Sequence, residues 1–205
     1  MPLAGVKVIA WDFDGVLNNN IQDGAFIWSR NFERDLGLPI RAFATYLFKG
    51  RYQQAMRGEA DLKTIISDWL NDQDTNHAAD HILDYWFTRD ALPDLKMLTY
   101  LEHASARNLI NIIATNNEIH RARFIEEDMG FGDRVDHFFA AGRMRTAKPE
   151  PAYFKHIEST LSLPPDVFLL IDDMSENIQA AKCAGWKAHH HDAGDYAALE
   201  DIFGL

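Results

Sequence analysis

The sequence lacks the features that mark secreted and membrane proteins. It has a single cysteine, Cys183, so no disulfide can form within the chain. No apolar run reaches the roughly 18 residues that a membrane-spanning helix needs. No basic start is followed by a long apolar stretch, as it would be in a secretory signal. We therefore expect a cytoplasmic protein that does not enter a membrane.

Positive charge is also scarce. The chain has 20 Lys and Arg against 31 Asp and Glu, which gives a formal net charge of -11 at pH 7. Such a surplus of negative charge repels polyanions, although a local basic pocket can still hold one small anion. We expect no binding to nucleic acid or to an acidic membrane surface. Nothing in the sequence indicates an oligomeric state.

The remaining composition is typical of a folded protein. Of 205 residues, 47% are hydrophobic, which is enough for one large domain or for a core with a smaller insert. The small neighbours Ala181, Ala184 and Gly185 indicate that Cys183 lies in a packed helix. We predict that this cysteine is buried and structural.

Short apolar segments, rich in β-forming residues, recur along the chain and predict the buried strands of a parallel sheet. They are residues 6–11, 109–114, 135–140, 167–171 and, more weakly, 186–189. Apolar residues recur at helical spacing between them, as in Ile119, Ala122 and Ile125. This alternation predicts an α/β fold with a doubly wound parallel sheet.

Helix boundary signals support that prediction. Asn116 is placed to cap a helix that ends near Gly130, and Ser175 to cap one that ends at Gly185. Pro151 suits the first turn of a third helix. We therefore expect helices after three of the predicted strands.

Residues 18–90, here called the insert, interrupt the alternation. This segment has no convincing strand, and helical patterns cover residues 25–36, 40–48, 62–70 and 77–88. We predict an all-helical insert with an aromatic core, placed after the first strand of a domain formed by residues 1–17 and 91–205. Four basic residues of the insert are candidates for facing a site on that domain. They are Arg30, Lys49, Arg51 and Arg57.

Acidic side chains follow the first predicted strand. Ligands bind beyond the carboxyl ends of the strands in open parallel sheets. Asp12 and Asp14 come directly after such a strand, and residues two apart in an extended turn point the same way. One carboxylate could attack phosphorus while the other donates a proton to the leaving oxygen. Gly15 lets the chain turn away immediately afterwards.

Other strand ends carry residues suited to phosphate and to a cation. Thr115 and Asn116 stand at a predicted helix start, where a hydroxyl and free amides can hold phosphate oxygens. Lys148 can neutralise charge on both nucleophile and phosphoryl group. Asp172 and Asp173 form a second acid pair. Carboxylates meeting from two strand ends repel one another unless a cation is present, and such oxygen ligands suit Mg²⁺.

Taken in order, these residues resemble a known family. The segment from Asp12 to Leu17, then Thr115, Lys148 and the pair Asp172 and Asp173, are similar to the four signature motifs of the haloacid dehalogenase (HAD) superfamily. The resemblance covers the chain from Val6 to about Leu199, and the insert resembles the helical cap of one class of this superfamily. The residues Asn116, Tyr153 and Asn177, at their places next to the motifs, are similar to those of small sugar-phosphate phosphatases and of the phosphatase domain of epoxide hydrolases.

The resemblance implies a function for each motif residue. Asp12 would be the nucleophile that forms an aspartyl-phosphate, and Asp14 the general acid and then base. Thr115 would bind the phosphoryl group, and Lys148 would steady it together with the nucleophile. Mg²⁺ would be held by Asp12, the main-chain carbonyl of Asp14 and Asp173, with Asp172 acting through water. The expected substrate is a small phosphorylated metabolite such as a sugar phosphate.

Three alternatives exist on the same fold. A phosphosugar mutase keeps every core motif and differs in its cap, so it stays open. A 2-haloacid dehalogenase attacks carbon without a metal and typically lacks the acid two positions after the nucleophile, so Asp14 counts against it. A non-enzymatic binding protein would be expected to have lost at least one core acid, and none is missing.

Overall fold

The computed structural model describes residues 3–205. Within these residues the strands are β1 (Val8–Trp11), β2 (Ile21–Gln22), β3 (Ala25–Phe26), β4 (Ile110–Thr115), β5 (His137–Ala140), β6 (Phe168–Asp172) and β7 (Lys187–His190). Five of them form a parallel sheet in the order β5-β4-β1-β6-β7. The predicted parallel sheet is thus confirmed, with strand bounds that differ from the predicted ones by one or two residues.

Helices cover both faces of the sheet. They are α6 (Leu95–Ala106), α7 (Ile119–Arg123), α8 (Ala141–Met144), α9 (Pro151–Leu161), α10 (Ser175–Cys183) and α11 (Ala197–Phe203). Ile9 and Trp11 of β1 pack with α6 and α11, whereas Val8 and Ala10 pack with α9 and α10. Because successive strand residues point to opposite faces, a wholly apolar strand is needed at the sheet centre, and all four residues of β1 are buried.

The insert contains helices α1 (Phe32–Leu36), α2 (Ile40–Tyr46), α3 (Tyr52–Met56), α4 (Leu62–Leu70) and α5 (Ala79–Arg89). A π-helical segment, Leu47–Arg51, joins α2 to α3. These elements pack around a separate hydrophobic cluster that includes Trp28, Phe32, Phe43, Trp69 and Trp86. The predicted aromatic core of the insert is therefore present.

The start of the insert differs from the prediction. A helix was expected over residues 25–36, but β2 and β3 form a hairpin there and a 3-10 turn, Ile27–Asn31, precedes α1. The two loop residues, Asp23 and Gly24, both have positive φ, at 53° and 73°. An Asp-Gly pair between apolar residues favours this two-residue hairpin, and its signal outweighs the helical spacing that follows.

Three smaller predictions are wrong. Cys183 is exposed, because it lies on the outward face of α10 while Ile178 and Ala181 face the sheet. Glu118, not Asn116, caps α7, accepting hydrogen bonds from the amides of His120 and Arg121. Ser175 is the first residue of α10 and its side chain caps nothing.

The predicted helix start at Pro151 is confirmed. None of the helices within residues 3–205 has the length and apolar character to cross a membrane.

Candidate active site

The site lies at the carboxyl end of β1, the central strand of the sheet. β4 and β6 flank β1 on opposite sides, so a crevice opens at the carboxyl end of β1. The three strand ends carry Asp12, Thr115 and Asp172, and all three residues are buried. Residues more than 100 positions apart in the sequence thereby meet in one place.

Lys148 joins two of the acids. Its side chain is fully buried, and its Nζ lies 3.0 Å from Asp12 Oδ1 and 2.6 Å from Asp172 Oδ2. Burial alone would lower the pKa of Lys148, but the charges of Asp12 and Asp172 outweigh it and raise that pKa. Lys148 is therefore a fixed positive charge next to Asp12 and Asp172.

Asp172 and Asp173 differ in their surroundings. Both oxygens of Asp172 are occupied, by Lys148, by the amide of Met174 at 2.9 Å and by the side chain of Asn177 at 2.9 and 3.1 Å. Burial raises the pKa of Asp172, but the Lys148 charge and these hydrogen bonds outweigh it and lower that pKa. Asp173 instead lines a cavity, and burial and the charge of Asp172 raise its pKa to about 6.

Asp12, Asp172 and Asp173 form an acid cluster whose ligand oxygens lie within 4.8 Å of one another. Burial and the charge of Asp172 raise the pKa of Asp12 well above its usual range, although Lys148 opposes the shift. A cation at this point would relieve that repulsion. Clustered carboxylate oxygens are the donors that Mg²⁺ prefers, so the residues fit the predicted magnesium site.

Gly15 makes close contact with the acid cluster. Its φ is +79°, and a Cβ built on it would lie 2.6 Å from Asp173 Oδ2. Only glycine permits this turn together with the approach of Asp173.

Asp14 is held by amide side chains. Its Oδ1 accepts hydrogen bonds from Asn20 at 2.8 Å and from Asn18 at 3.3 Å, and its Oδ2 accepts one from Asn117 at 2.9 Å. Asn18 and Asn20 are fully buried. Asn18 and Asn20 belong to a polar run that, in the sequence alone, resembles a hinge into the insert and suits an exposed loop as well as a contact with substrate. They are instead buried partners of Asp14.

Arg121 and Asp90 complete the surroundings of Asp14. Arg121, on α7, donates to the carbonyl oxygen of Phe87 at 3.0 Å, and its Nη2 lies 3.7 Å from Asp14 Oδ1 and 3.5 Å from Asp90 Oδ2. Asn20 bridges Asp14 and Asp90. Neither Arg121 nor Asp90 could be identified from the sequence, because their contacts depend on how the insert packs on the sheet.

Asn116 and Thr115 follow β4 as predicted. Asn116 donates to the carbonyl of Lys148 at 2.7 Å and accepts from its amide at 2.9 Å, so it fixes the loop that carries the lysine. The Thr115 hydroxyl accepts a hydrogen bond from Asn117 at 2.8 Å. Both residues line the same cavity as Asp12, Asp14 and Asp173.

That cavity has a volume of about 260 Å³ and lies between the sheet and the insert. The insert contributes Ile21, Phe26, Phe48, Tyr52 and Trp86 to its wall. A space of this size is below the roughly 300–1,000 Å³ of most ligand sites, so it suits a small ligand.

None of the four basic candidates of the insert lines the cavity. Arg30 pairs with Asp23 at 3.2 Å, Arg51 pairs with Asp68 at 2.7 Å, Arg57 pairs with Glu150, and Lys49 is exposed. Their predicted place at the site is therefore wrong, because charged helix residues found partners or solvent elsewhere.

Comparison with known proteins identifies relatives of this architecture. The family model for haloacid dehalogenase-like hydrolases matches residues 6–185. The phosphatase MT3486 of Mycobacterium tuberculosis (strain CDC 1551 / Oshkosh) is 25% identical over 195 residues, which cover 90% of this chain and 86% of that protein.

Two solved structures illustrate the shared fold. A HAD family enzyme of Bacteroides thetaiotaomicron, in complex with magnesium and inorganic phosphate, superposes with a TM-score of 0.77 at 18% identity, covering 95% of this chain and 98% of that one. L-2-haloacid dehalogenase of Xanthobacter autotrophicus gives a TM-score of 0.66 at 16% identity, covering 97% and 83%. At these identities the likeness shows the fold alone.

Proposed function

Because the chain belongs to the haloacid dehalogenase-like hydrolase family, we propose that it is a magnesium-dependent phosphatase acting on a small phosphomonoester through an aspartyl-phosphate. The observation that carries this proposal is the buried Lys148 ammonium between Asp12 and Asp172, next to Asp173. This arrangement supports the joint action of a nucleophile, a fixed cation and a metal-binding acid at the carboxyl edge of the sheet. The M. tuberculosis relative named a phosphatase supports the same class.

Asp12 is the proposed nucleophile. Its Oδ1 accepts hydrogen bonds from the amide of Phe13 at 2.7 Å and from Lys148, which leaves Oδ2 for attack. In the first step an Asp12 oxygen bonds to phosphorus, the ester P–O bond breaks, and Asp14 protonates the leaving alcohol. In the second step Asp14 takes a proton from water, whose oxygen bonds to phosphorus and releases Asp12.

The remaining residues bind and orient. Thr115 holds a phosphoryl oxygen, and Lys148 neutralises charge that develops on the phosphoryl group and on Asp12. Mg²⁺, when held by Asp12, the Asp14 carbonyl and Asp173, with Asp172 through water, would supply further positive charge at the phosphoryl group. Asn116 positions Lys148 through its backbone.

The test is phosphate release from p-nitrophenyl phosphate in the presence of Mg²⁺. We expect turnover by the wild type, loss of turnover in Asp12→Asn and after chelation, and inhibition by beryllium fluoride. Undiminished turnover in Asp12→Asn would refute the nucleophile, and turnover that persists after chelation would refute the metal. Conversion of one sugar phosphate into its isomer, without phosphate release, would identify a mutase instead.

A further inference from the structure

The two ends of the cavity differ in chemistry. The sheet side contributes mainly acids, amides and a hydroxyl, together with Arg121 and Met174. The insert contributes one acid, Asp90, and otherwise an apolar wall of Ile21, Phe26, Phe48, Tyr52 and Trp86. The phosphoryl group belongs at the polar end, next to Asp12. The leaving group of the ester therefore faces the insert.

The insert wall is a preformed aromatic surface. The ring centroid of Phe48 lies 5.1 Å from that of Tyr52 and 5.6 Å from that of Trp86, and the Trp86 ring lies 4.8 Å from the buried Trp28 ring at an interplanar angle of 30°. Phe48 keeps 36% of its surface exposed, and Phe26 keeps 40%. Exposed aromatic surface that is fixed by neighbouring rings and lines a small cavity favours an apolar face of a ligand.

A second anionic group would find no free counter-charge in this space. Among residues 3–205, Arg121 is the one basic side chain that lines the cavity, and it already contacts Phe87, Asp14 and Asp90. Asp14, Asp90 and Asp173 line the cavity as well. Like charges placed together are strongly disfavoured, so an acidic leaving group would be repelled.

Tyr52 offers one polar contact on the aromatic wall. Its hydroxyl makes no hydrogen bond with any residue from 3 to 205, although the side chain lines the cavity. Burial and the charges of Glu118 and Asp14 raise the pKa of Tyr52, so the hydroxyl stays protonated and can donate. A single donor suits one hydroxyl or ether oxygen of an uncharged ligand.

We propose that the substrate is a phosphomonoester with an uncharged leaving group that carries an apolar ring face, which packs on Phe48, Tyr52 and Trp86. The inference rests on the proposed phosphatase function and narrows its substrate class. A sugar ring and an aryl ring both present such a face.

The experiment compares four phosphate esters of primary alcohols, so that the leaving oxygen is chemically similar in each. These are benzyl phosphate, glucose 6-phosphate, glycerol 3-phosphate and 6-phosphogluconate, with kcat/KM measured by phosphate release with Mg²⁺. We expect at least one ring ester to exceed glycerol 3-phosphate, and 6-phosphogluconate to be the poorest. The ratio of kcat/KM for benzyl phosphate to kcat/KM for glucose 6-phosphate shows whether the wall prefers an aryl ring or a sugar ring.

A variant then tests the wall itself. Phe48→Ala should reduce kcat/KM for the preferred ring ester about threefold to tenfold more than for glycerol 3-phosphate, mainly through KM, since aromatic contacts contribute on that scale. Phe48→Leu keeps an apolar side chain without an aromatic ring, and it replaces Phe48→Ala in this test if the alanine variant does not fold. Leu95→Ala, which truncates a residue that is 76% exposed and outside the cavity, is the matched control.

Each outcome bears on the proposal. Equal or better turnover of 6-phosphogluconate, or equal losses for all four esters in the folded Phe48 variants, would overturn the substrate class while leaving the phosphatase function intact. Phosphate release from none of the four above the level of Asp12→Asn would overturn the proposed function and this inference with it.

Discussion

At the scale of single residues, Lys148 is the side chain on which both charge balance and the proposed reaction depend. It is buried against Asp12 and Asp172, so removing it leaves two acids facing each other without a counter-charge. We predict that Lys148→Ala lowers kcat about 100- to 1,000-fold, the effect of losing one preorganised charge-stabilising group. Steady-state phosphate release measures this.

Lys155→Ala is the control for that variant. The Lys155 side chain is 77% exposed, on α9, so its removal should change the free energy of unfolding by less than about 0.5 kcal/mol. If Lys148→Ala and Lys155→Ala had similar kcat values, Lys148 would have no part in the reaction.

Asp90 gives a pH dependence of stability. Burial and the charge of Asp14 raise its pKa to about 7 from an ordinary value of 3.8, although Arg121 opposes the shift. The folded state therefore holds a proton that the unfolded state has lost between about pH 4 and pH 7. The stabilisation is complete below about pH 4 and is lost as pH rises through 7.

Asp90→Asn removes that titration while keeping the shape of the side chain. We predict that the variant gains about 2–3 kcal/mol of unfolding free energy relative to the wild type between pH 5 and pH 8, at 1.36 kcal/mol per unit of pKa difference. Urea unfolding at the two pH values measures this gain. A constant difference between the two proteins would show that Asp90 is ionised throughout.

At the scale of elements, the turn that follows β1 sets the position of the Asp173 carboxylate in the acid cluster. Gly15→Ala should cost about 1–2 kcal/mol for a side chain at positive φ. Because the added Cβ would also displace the Asp173 carboxylate, we expect Mg²⁺ binding to weaken about 10- to 100-fold, as when metal-ligand supports are lost. Calorimetric titration with Mg²⁺ measures the affinity.

Gly37→Ala separates the two effects. Gly37 ends α1 with φ +68°, and a Cβ there meets nothing within 4 Å. This variant should lose similar stability and keep its Mg²⁺ affinity. Equal Mg²⁺ affinity in both variants would mean that Gly15 does not govern the position of Asp173.

The sequence was most informative about the positions of the central strands. A strand buried on both faces is mostly apolar, so β1, β4 and β6 could be located, and the polar residues that follow them fell at one edge of the sheet. The hairpin of β2 and β3 was missed because its strands have two residues each, too few for a period of two to be recognised.

Contacts between the insert and the sheet could not be predicted. Asp90 reaches Asn20 across 70 residues, and Arg121 meets the carbonyl of Phe87 across 34. Such pairs depend on how two separately packed cores are oriented, and no local spacing encodes that orientation. Arg121 could have been noticed only as a basic residue four positions before the apolar Ile125, and hence on the same face of the helical segment.

At the scale of the whole molecule, the insert and the sheet domain are joined by an ion pair and by a hydrogen-bonded side-chain contact. Arg57 of the insert pairs with Glu150, and Asp61 of the insert lies 2.9 Å from His120 Nε2. They link the insert, which carries the aromatic wall, to the domain that carries the acid cluster. The cluster itself lies at the carboxyl ends of β1 and β6, outside the insert.

Mg²⁺ should consequently stabilise the whole fold. Three acids with ligand oxygens within 4.8 Å repel each other until a cation binds. A ligand that binds only the folded state at 100 times its Kd adds about 2.7 kcal/mol, which for a chain of this size raises Tm by about 5–10 °C. Differential scanning calorimetry with Mg²⁺ and with chelator measures the shift.

Asp173→Asn should abolish the shift and raise Tm in chelator, because it removes one of the repelling charges. Asp166→Asn, which changes an exposed acid, should keep the wild-type shift. A full Mg²⁺ shift in Asp173→Asn would place the metal on other ligands, and the proposed division between a direct Asp173 contact and a water-mediated Asp172 contact would then be wrong.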